Sequence, residues 1–268
     1  MPTAAAPLTP GTFCLTNASG LAIRGTWWAR AEATTTWVLQ HGAAGSQNDP
    51  AIVLLREALL ARPGQQVITF DGTCNLGESE GRLQDLRPST HAADLAAVIA
   101  WAQAQPAWRG ALAVAGHSLG AASALLYAAA NPAAVQQVVA ISPVVGGAAW
   151  WQTYQQNYPA VLAAWQDDGQ LVKTTPDHPR HPQALSWAYV AEVLTYDLIH
   201  TTAPQVRCPV TLVVGADDRI TPPAVVEALA AALRINLGEK NVTLHRVPGG
   251  SHLWTRESER VGLRGVLN

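Results

Sequence analysis

Short apolar runs alternate with longer helical runs along most of the chain, and this alternation restricts its fold more than any other feature. The apolar runs include TTWVLQ, QVITFD, ALAVAG, QQVVAIS and VTLVVG. Segments between them, such as 91–104 and 121–130, have apolar residues at helical spacing or are rich in strong helix formers. Two more strands, at 12–17 and 21–29, precede them. The pattern predicts an α/β fold, a mainly parallel central sheet with helices on both faces.

The alternation fails once, between about residues 143 and 206. This stretch lies between two predicted sheet strands, so we interpret it as an insertion that forms a cap over the C-terminal edge of the sheet. The whole chain of 268 residues is then a single domain, 1–268, with the cap inserted into it.

Composition excludes several classes of protein. Hydrophobic residues make up 49% and charged residues 13%, which is typical of a globular chain rather than a disordered one. The net charge of −2 and the lack of a basic run argue against nucleic acid or an anionic membrane as a partner. The three scattered cysteines predict neither a disulfide framework nor a metal site. Without a signal peptide or an apolar run long enough to span a membrane, we expect a cytoplasmic protein.

Two segments match the pattern G-x-S-x-G, GESEG at 77–81 and GHSLG at 116–120. A nucleophilic serine in this pattern sits on a sharp turn between a strand and a helix, whose N-terminal amides favour a developing oxyanion. Ser118 follows the strand ALAVAG and precedes a helix of small residues. Ser79 lies between two glutamates, six or more residues after its strand, and precedes a polar loop. The context therefore selects Ser118 as the nucleophile.

A serine nucleophile needs an imidazole to take its proton and a carboxylate to orient that imidazole. In such enzymes the carboxylate and then the histidine follow the serine along the chain. Asp217 and Asp218 both follow a buried strand, and either one is a candidate partner or a helix cap. His252 lies in a glycine-rich loop after the last strand, whereas His245 lies inside that strand, so we assign His252 as the base.

The oxyanion formed during such a reaction is stabilised by two backbone amides. One is expected from Leu119, directly after the nucleophile, and the other from Ala43 in the loop QHGAAG after the third strand. His41, in the same loop, is open to interpretation as a second base or a metal ligand, but we assign it to the loop structure.

With these residues placed, the sequence resembles an α/β-hydrolase. It is most similar to the serine hydrolases around bacterial cinnamoyl and feruloyl esterases and monoacylglycerol lipase-like enzymes, the serine aminopeptidase-like group. The resemblance rests on LQHGAAGSQND, FDGTCNLGESEG, GHSLGAA, CPVTLVVGADDRITPP and GGSHLW. It implies that GESEG is a structural loop and that Asp218, rather than Asp217, is the triad carboxylate. Two departures concern the expected acyl pocket: the loop DGTCNLGESEG is one residue longer than usual and carries Cys74 in place of a glycine, and Ala43 replaces a bulkier residue.

The resulting hypothesis is a serine hydrolase that cleaves carboxylic esters through an acyl-enzyme on Ser118, without a metal or organic cofactor. Thioesterase, amidase and C–C hydrolase activities on the same triad remain alternatives, as does a binding or receptor protein with low turnover. The expected partner is a small ester, and a homodimer is left open. Trp150 and Trp151 enter the predicted cap from the catalytic edge, and we expect them to contact the substrate.

Overall fold

The computed structural model describes residues 10–173 and 183–267. The strands in this part of the chain are β1 (Gly11–Thr16), β2 (Ala22–Trp28), β3 (Thr35–Gln40), β4 (Gln65–Asp71), β5 (Ala111–His117), β6 (Val135–Ile141), β7 (Gln170–Lys173), β8 (Gln183–Ser186), β9 (Val210–Gly215) and β10 (Val242–Val247). The α-helices are α1 (Pro50–Leu60), α2 (Pro88–Gln103), α3 (Leu119–Ala130), α4 (Gly147–Asn157), α5 (Pro159–Asp168), α6 (Trp187–Val193), α7 (Pro223–Leu237) and α8 (Glu257–Leu267). Short 3-10 turns cover Leu83–Asp85, Ala203–Gln205 and Glu239–Asn241, and a π turn covers Leu198–Thr202.

Eight of these strands form one sheet in the order β1-β2-β4-β3-β5-β6-β9-β10. All neighbouring strands from β4 to β10 in this order pair in parallel, and only β1 with β2 and β2 with β4 are antiparallel. The prediction of a mainly parallel sheet is confirmed. Parallel strands bring their C-terminal ends to one edge, so the loops after β3, β5, β9 and β10 meet there.

Helices cover both faces of the sheet, as predicted. Along β5, Leu112 and Val114 pack into the cluster that contains buried residues of α2, α3 and α7. Ala113 and Ala115 point the other way and pack into the cluster that contains buried residues of α1 and α8. This alternation follows from the two-residue period of a strand, and burial on both faces explains why the central strands are apolar throughout.

The helix predicted over 91–104 and the C-terminal helix differ from the sequence-based expectation. The helix predicted over 91–104 begins at Pro88, because proline is tolerated in the first turn and the Arg87 amide donates to Thr90 Oγ1 at 3.2 Å. The C-terminal helix α8 was not predicted. It is strongly amphipathic, and it buries Leu263 and Leu267 against the α1 side of the sheet.

The segment between β6 and β9 contains α4, α5, the antiparallel β7–β8 hairpin and α6. It covers most of the predicted insertion at 143–206, of which residues 174–182 lie outside the described residues. Trp165 of α5 is 2% exposed and stacks on Tyr189 of α6, with their ring centroids 6.1 Å apart. Aromatic packing of this kind holds the helices of the segment together.

Candidate active site

Ser118 occupies the sharp turn between β5 and α3. Its backbone has φ 56° and ψ −116°, a conformation that non-glycine residues rarely adopt, and its amide donates to the carbonyl of Ile141 at 2.8 Å. A Cβ atom on Gly116 would lie 2.3 Å from the backbone of Gly120, and one on Gly120 would lie 2.1 Å from the carbonyl oxygen of Gln40. The two glycines of GHSLG are therefore required by close backbone packing around the serine.

The loop after β10 brings His252 to Ser118, 134 residues earlier in the chain. The Nε2 atom of His252 lies 3.0 Å from Ser118 Oγ, and both side chains are largely buried. On the other side of the ring, Nδ1 lies 2.9 Å from Asp218 Oδ2 and 3.1 Å from Oδ1. Since a carboxylate accepts, Nδ1 carries the proton and Nε2 is free to accept one from the serine hydroxyl.

Asp218 is buried and held by three further donors. Its Oδ1 atom accepts the amides of Ile220 and Thr221, both at 2.9 Å, and Oδ2 accepts the Thr221 hydroxyl at 2.9 Å. Burial alone would raise the pKa of Asp218, but hydrogen bonding and charge from His252, together with the Thr221 amide, outweigh it and lower the pKa. The carboxylate therefore stays ionised beside the imidazole.

The competing aspartate and histidines lie elsewhere. Asp217 is exposed, and its amide donates to the carbonyl of Gly250 at 2.9 Å. His245 is half-buried within β10, opposite Val213 of β9. His41 is fully buried with both ring nitrogens engaged, Nδ1 with the carbonyl of Gly42 at 2.7 Å and Nε2 with the amide of Gly72 at 2.8 Å.

Ser79 of GESEG is part of a buried loop rather than a strand–helix turn. Its hydroxyl donates to the carbonyl of Asp71 at 2.5 Å and accepts the amide of Arg24 at 2.8 Å. In the same loop, Cys74 has φ 60° and its amide donates to the carbonyl of Glu80 at 2.9 Å. A left-handed backbone at this position favours glycine, which accounts for the expectation of a glycine where this chain has cysteine.

The two predicted oxyanion amides belong to the first turn of α3 and to the loop after β3. Leu119 is the first residue of α3, where the backbone N–H has no partner within the helix. Ala43 lies in the loop after β3, beside Gly42, whose added Cβ would lie 2.9 Å from Ser118 Cβ. Among the hydrogen bonds of residues 10–173 and 183–267, neither the Ala43 amide nor the Leu119 amide donates to a protein acceptor. Both are therefore available to a ligand.

A cavity of about 300 Å³ opens beside Ser118 and His252. Its walls come from the loop after β3, from the loops after β9 and β10, and from the segment between β6 and β9. The aromatic residues that line it are Trp150, Tyr154, Trp165 and Tyr189.

The structure separates the two tryptophans that were expected at the substrate. Trp150 is 4% exposed, lines the cavity and stacks on Tyr154 with their centroids 4.1 Å apart. Trp151 is not among the residues that line the cavity, and it packs edge-on against Trp187 instead. The two side chains lie about 100° apart around α4, and of the two only Trp150 lines this cavity.

The sequence analysis missed three residues that contact the predicted triad or the loop of His252. Besides Thr221, His117 makes a hydrogen bond through Nε2 to the carbonyl of His252 at 2.8 Å, and burial, followed by the nearby His252, lowers its pKa to about 3, so it is neutral. Glu259 of α8 accepts the amide of Ser251 at 3.0 Å and is fully buried. Thr221 is visible three residues after Asp218, but nothing in the sequence links Glu259 to the histidine loop.

In the part of the chain that the structure describes, no group of three histidine, cysteine, aspartate or glutamate side chains is arranged to hold a metal ion. None of the described helices has the length and apolar character needed to cross a membrane.

Comparison with known proteins identifies a family. The family model described as serine aminopeptidase, S33, matches residues 38–259, which include Ser118, Asp218 and His252. No curated protein matches the chain.

Similar solved structures cover nearly the whole chain. Est1E from Butyrivibrio proteoclasticus, solved with ferulic acid bound, has a TM-score of 0.72 at 19% identity and covers 95% of this chain and 97% of its own. Mouse alpha/beta hydrolase domain-containing protein 10 has a TM-score of 0.71 at 17% identity, with 96% of each chain covered. A putative hydrolase from Agrobacterium vitis S4 has a TM-score of 0.70 at 18% identity, with 98% of each covered. At these identities the likeness establishes the fold, which is the α/β-hydrolase fold predicted from the sequence.

Proposed function

The chain belongs to the serine aminopeptidase S33 family of α/β hydrolases, and from this premise we propose that it cleaves carboxylic esters through an acyl-enzyme on Ser118. The observation that carries the proposal is the continuous hydrogen-bonded series from Ser118 Oγ to His252 Nε2 at 3.0 Å and from His252 Nδ1 to Asp218 Oδ2 at 2.9 Å. Nucleophile, base and orienting carboxylate are each within hydrogen-bond reach of the next, which is the arrangement that nucleophilic catalysis by serine requires.

In the proposed reaction His252 acts first as a base and then as an acid. Nε2 takes the Ser118 proton as Oγ bonds to the ester carbonyl carbon, and it then gives that proton to the leaving alcohol. Water attacks the acyl-enzyme by the same route, which releases the acid and restores the serine. Asp218, kept ionised by its hydrogen bonds, stabilises the imidazolium that forms in both steps.

In this proposal the backbone amides of Ala43 and Leu119 donate hydrogen bonds to the carbonyl oxygen and stabilise the negative charge that develops on it. The Leu119 amide also lies at the N-terminus of α3, where the partial positive charge of the helix adds to its effect. Burial of Ser118 and His252 strengthens these interactions, because little water competes for them.

The segment between β6 and β9 acts in this proposal as the cap inserted into a single domain, 1–268, at about 143–206. Trp150 forms part of the wall of the acyl pocket, where its ring favours an aryl or medium-chain acyl group over acetate. Trp151 has no substrate contact and contributes to packing within the cap. The substrate is a small molecule, no cofactor takes part, and the enzyme acts in the cytoplasm.

The same triad would attack a thioester, an amide or an activated C–C bond, so the leaving group is the part of the proposal that needs a direct test. A panel of p-nitrophenyl esters of graded acyl length, with matched thioesters and anilides, ranks these reactions by kcat/KM. Higher kcat/KM for esters than for the matched thioesters and anilides supports the proposal, and the reverse order replaces it with one of those activities.

A fluorophosphonate probe tests the nucleophile separately from the substrate. The wild-type protein should form one stable adduct on Ser118, and Ser118→Ala should form none. An adduct without turnover of any ester, thioester or amide would instead favour a binding protein that keeps the hydrolase fold. No adduct at all would overturn the assignment of Ser118.

A further inference from the structure

A second loop holds the loop that carries the proposed oxyanion amide of Ala43. Residues 72–76, which follow β4, contact residues 41–45, which follow β3. Three hydrogen bonds join them: the Gly72 amide donates to His41 Nε2 at 2.8 Å, the Ala44 amide to Asn75 Oδ1 at 2.9 Å, and the Leu76 amide to the Gly45 carbonyl at 3.2 Å.

The contact with His41 fixes the peptide that contains the Ala43 N–H. Because His41 Nε2 accepts the Gly72 amide, the ring proton is on Nδ1, which donates it to the Gly42 carbonyl at 2.7 Å. In a trans peptide the carbonyl of Gly42 and the N–H of Ala43 point in opposite directions within one plane. The orientation of the Gly42 carbonyl therefore sets the direction of the Ala43 N–H.

Asn75 fixes the next peptide, on the other side of Ala43. Its side chain is 1% exposed, and its Oδ1 accepts the Ala44 amide while its Nδ2 donates to the Thr73 carbonyl at 3.0 Å. Ala44 has φ 56°, a left-handed conformation that residues other than glycine keep only when the surrounding structure imposes it. The hydrogen bond from Ala44 to Asn75 is such a constraint. With both neighbouring peptides held, Ala43 has little freedom to turn its N–H away from the cavity that it lines.

The loop that presents Asn75 is itself anchored. Asp94 of α2 accepts both the amide of Thr73 at 2.6 Å and its hydroxyl at 2.7 Å. The left-handed backbone of Cys74 then turns the chain immediately before Asn75. The loop that is one residue longer than usual thus presents Asn75 to Ala44 from a fixed base.

We propose that Asn75 is a positioning residue that directs the Ala43 amide at the oxyanion. The proposal rests on the proposed ester hydrolysis and on Ala43 as one of its two oxyanion donors. Asn75 does not line the cavity, so it acts through the backbone of residues 43 and 44 rather than on the substrate. An oxyanion donor accelerates the reaction only when it is held at hydrogen-bond distance from the developing charge, so a displaced loop should slow the chemical step more than it weakens substrate binding.

Asn75→Ala tests this role in the kinetics of p-nitrophenyl ester hydrolysis. We expect kcat to fall by roughly 10- to 100-fold while KM stays within about threefold of the wild type. Acylation and deacylation both pass through an oxyanion, so kcat reports the loss whichever step limits the rate. A folded Asn75→Ala variant with wild-type kcat would overturn the proposal.

Asn236→Ala is the matched control, because Asn236 makes a similar set of hydrogen bonds on α7, outside the cavity lining. Its Nδ2 donates to the carbonyls of Ala203 and Val206, and its Oδ1 accepts from the Arg207 guanidinium at 3.0 Å. The control should lose stability in urea and keep kcat within about threefold of the wild type. Equal losses of kcat in Asn75→Ala and Asn236→Ala would also overturn the proposal.

Ala44→Gly tests whether Asn75 acts through the backbone of residue 44. Glycine adopts a positive φ without steric cost, so the loop with Gly at this position depends less on Asn75. Asn75→Ala should therefore lower kcat less in the Ala44→Gly background than in the wild type, although still by about threefold or more. This comparison also supplies the test if Asn75→Ala alone does not fold. No loss of kcat in the glycine background, or the same loss in both backgrounds, counts against the proposal.

The Ala43 amide is observed directly by NMR, without any ester turnover. Protein labelled with carbon-13 at glycine carbonyls and nitrogen-15 at alanine gives signals only from alanines that follow glycine, and Ala43 is one of five in the sequence. Its signal is the one that Ala43→Ser removes. When Ser118 Oγ bonds to the phosphorus of a fluorophosphonate and fluoride leaves, the phosphonate oxygen takes the place of the oxyanion. The Ala43 proton should then move downfield in the wild type and by less in Asn75→Ala.

This measurement separates failure of the positioning role from failure of the proposed function. A wild type that reacts with the probe but hydrolyses no ester contradicts ester cleavage, while the smaller Ala43 shift in Asn75→Ala still supports the role of Asn75. The same shift in the wild type and in Asn75→Ala counts against Asn75 even if esters are hydrolysed. No shift of the Ala43 signal in the wild-type adduct removes Ala43 as a donor and overturns the proposal.

Discussion

Glu259 Oε1 lies 3.0 Å from the backbone nitrogen of Ser251, the residue immediately before His252. The same carboxylate accepts the amide of Arg256 at 2.9 Å and forms an ion pair with the Arg256 guanidinium at 2.7 Å. The first turn of α8 thus holds the loop that carries the proposed base. Burial alone would raise the pKa of Glu259, but the hydrogen bonds from Ser251 and Arg256 outweigh it and lower the pKa to about 2.

Glu259→Gln should therefore destabilise the protein in a pH-dependent way. A carboxyl whose pKa is lowered on folding stabilises the native state above its unfolded pKa, and the contribution is lost as pH falls through the folded value. We expect a loss of roughly 1–3 kcal/mol at pH 7, with the difference from wild type shrinking between about pH 4.3 and the folded value. Urea unfolding at pH 7 and pH 3 measures it. A difference that is the same at both pH values would contradict the role of the charge.

The two serines should respond differently to alanine. Ser118→Ala should lower kcat/KM for esters by about 10³ or more, because nucleophile and base act as one unit. Ser79→Ala leaves the carbonyl of Asp71 and the amide of Arg24 without a partner and should cost roughly 1–3 kcal/mol of folding stability while most activity remains. Ester kinetics measure the activity of both variants, and urea titration measures their stability. Equal losses of activity in the two variants would refute the assignment of Ser118 as the nucleophile.

The adjacent aspartates form a matched pair. Asp218→Asn removes the charge that faces His252 and favours the wrong tautomer, a change that lowers kcat by about 10⁴ in a related triad. Asp217→Asn, at an exposed position, should change kcat by less than about threefold. Steady-state kinetics above pH 7 provides the comparison. If Asp217 proved to be the sensitive position, the assignment of the carboxylate would be wrong by one residue.

Thr221 is predicted to be a positioning residue for Asp218. Thr221→Val removes the 2.9 Å hydrogen bond to Oδ2 at nearly constant volume, and we expect kcat to fall by roughly tenfold with little change in KM. The carboxylate then keeps more negative charge towards the imidazolium, so the acidic limb of the kcat/KM profile should move to higher pH. Thr221→Ser keeps the hydroxyl and should restore both properties. If Thr221→Val left the pH profile of kcat/KM unchanged, Thr221 would contribute packing only and would not position Asp218.

Trp150 and Trp151 provide the last comparison. We expect the wild type to prefer aryl or medium-chain acyl esters over acetate by roughly tenfold. Trp150→Ala removes part of the cavity wall and should reduce that preference, whereas Trp151→Ala should keep it, because Trp151 packs on Trp187 outside the cavity lining. The ratio of kcat/KM values for the two ester classes is the measurement. If only Trp151→Ala lost the preference, Trp151 rather than Trp150 would be the tryptophan that contacts the acyl group.

The sequence by itself determined the fold, and it predicted Ser118 rather than Ser79 as the nucleophile. Both depend on local order along the chain: a two-residue or helical period decides strand or helix, and a strand followed at once by a helix marks the turn at Ser118. The same local reasoning placed His252 and the Asp217-Asp218 pair in loops at one edge of a parallel sheet.

Only the tertiary structure decided which side chains meet. The sequence could not assign Asp218 over Asp217 without a family spacing, because neighbouring residues in a loop point in different directions that depend on the packing around them. For the same reason Trp150 lines the cavity and Trp151 does not, and Glu259, in a helix absent from the prediction, contacts the loop of His252. The period of a strand or helix carries no information about these contacts, so only the packed fold specifies them.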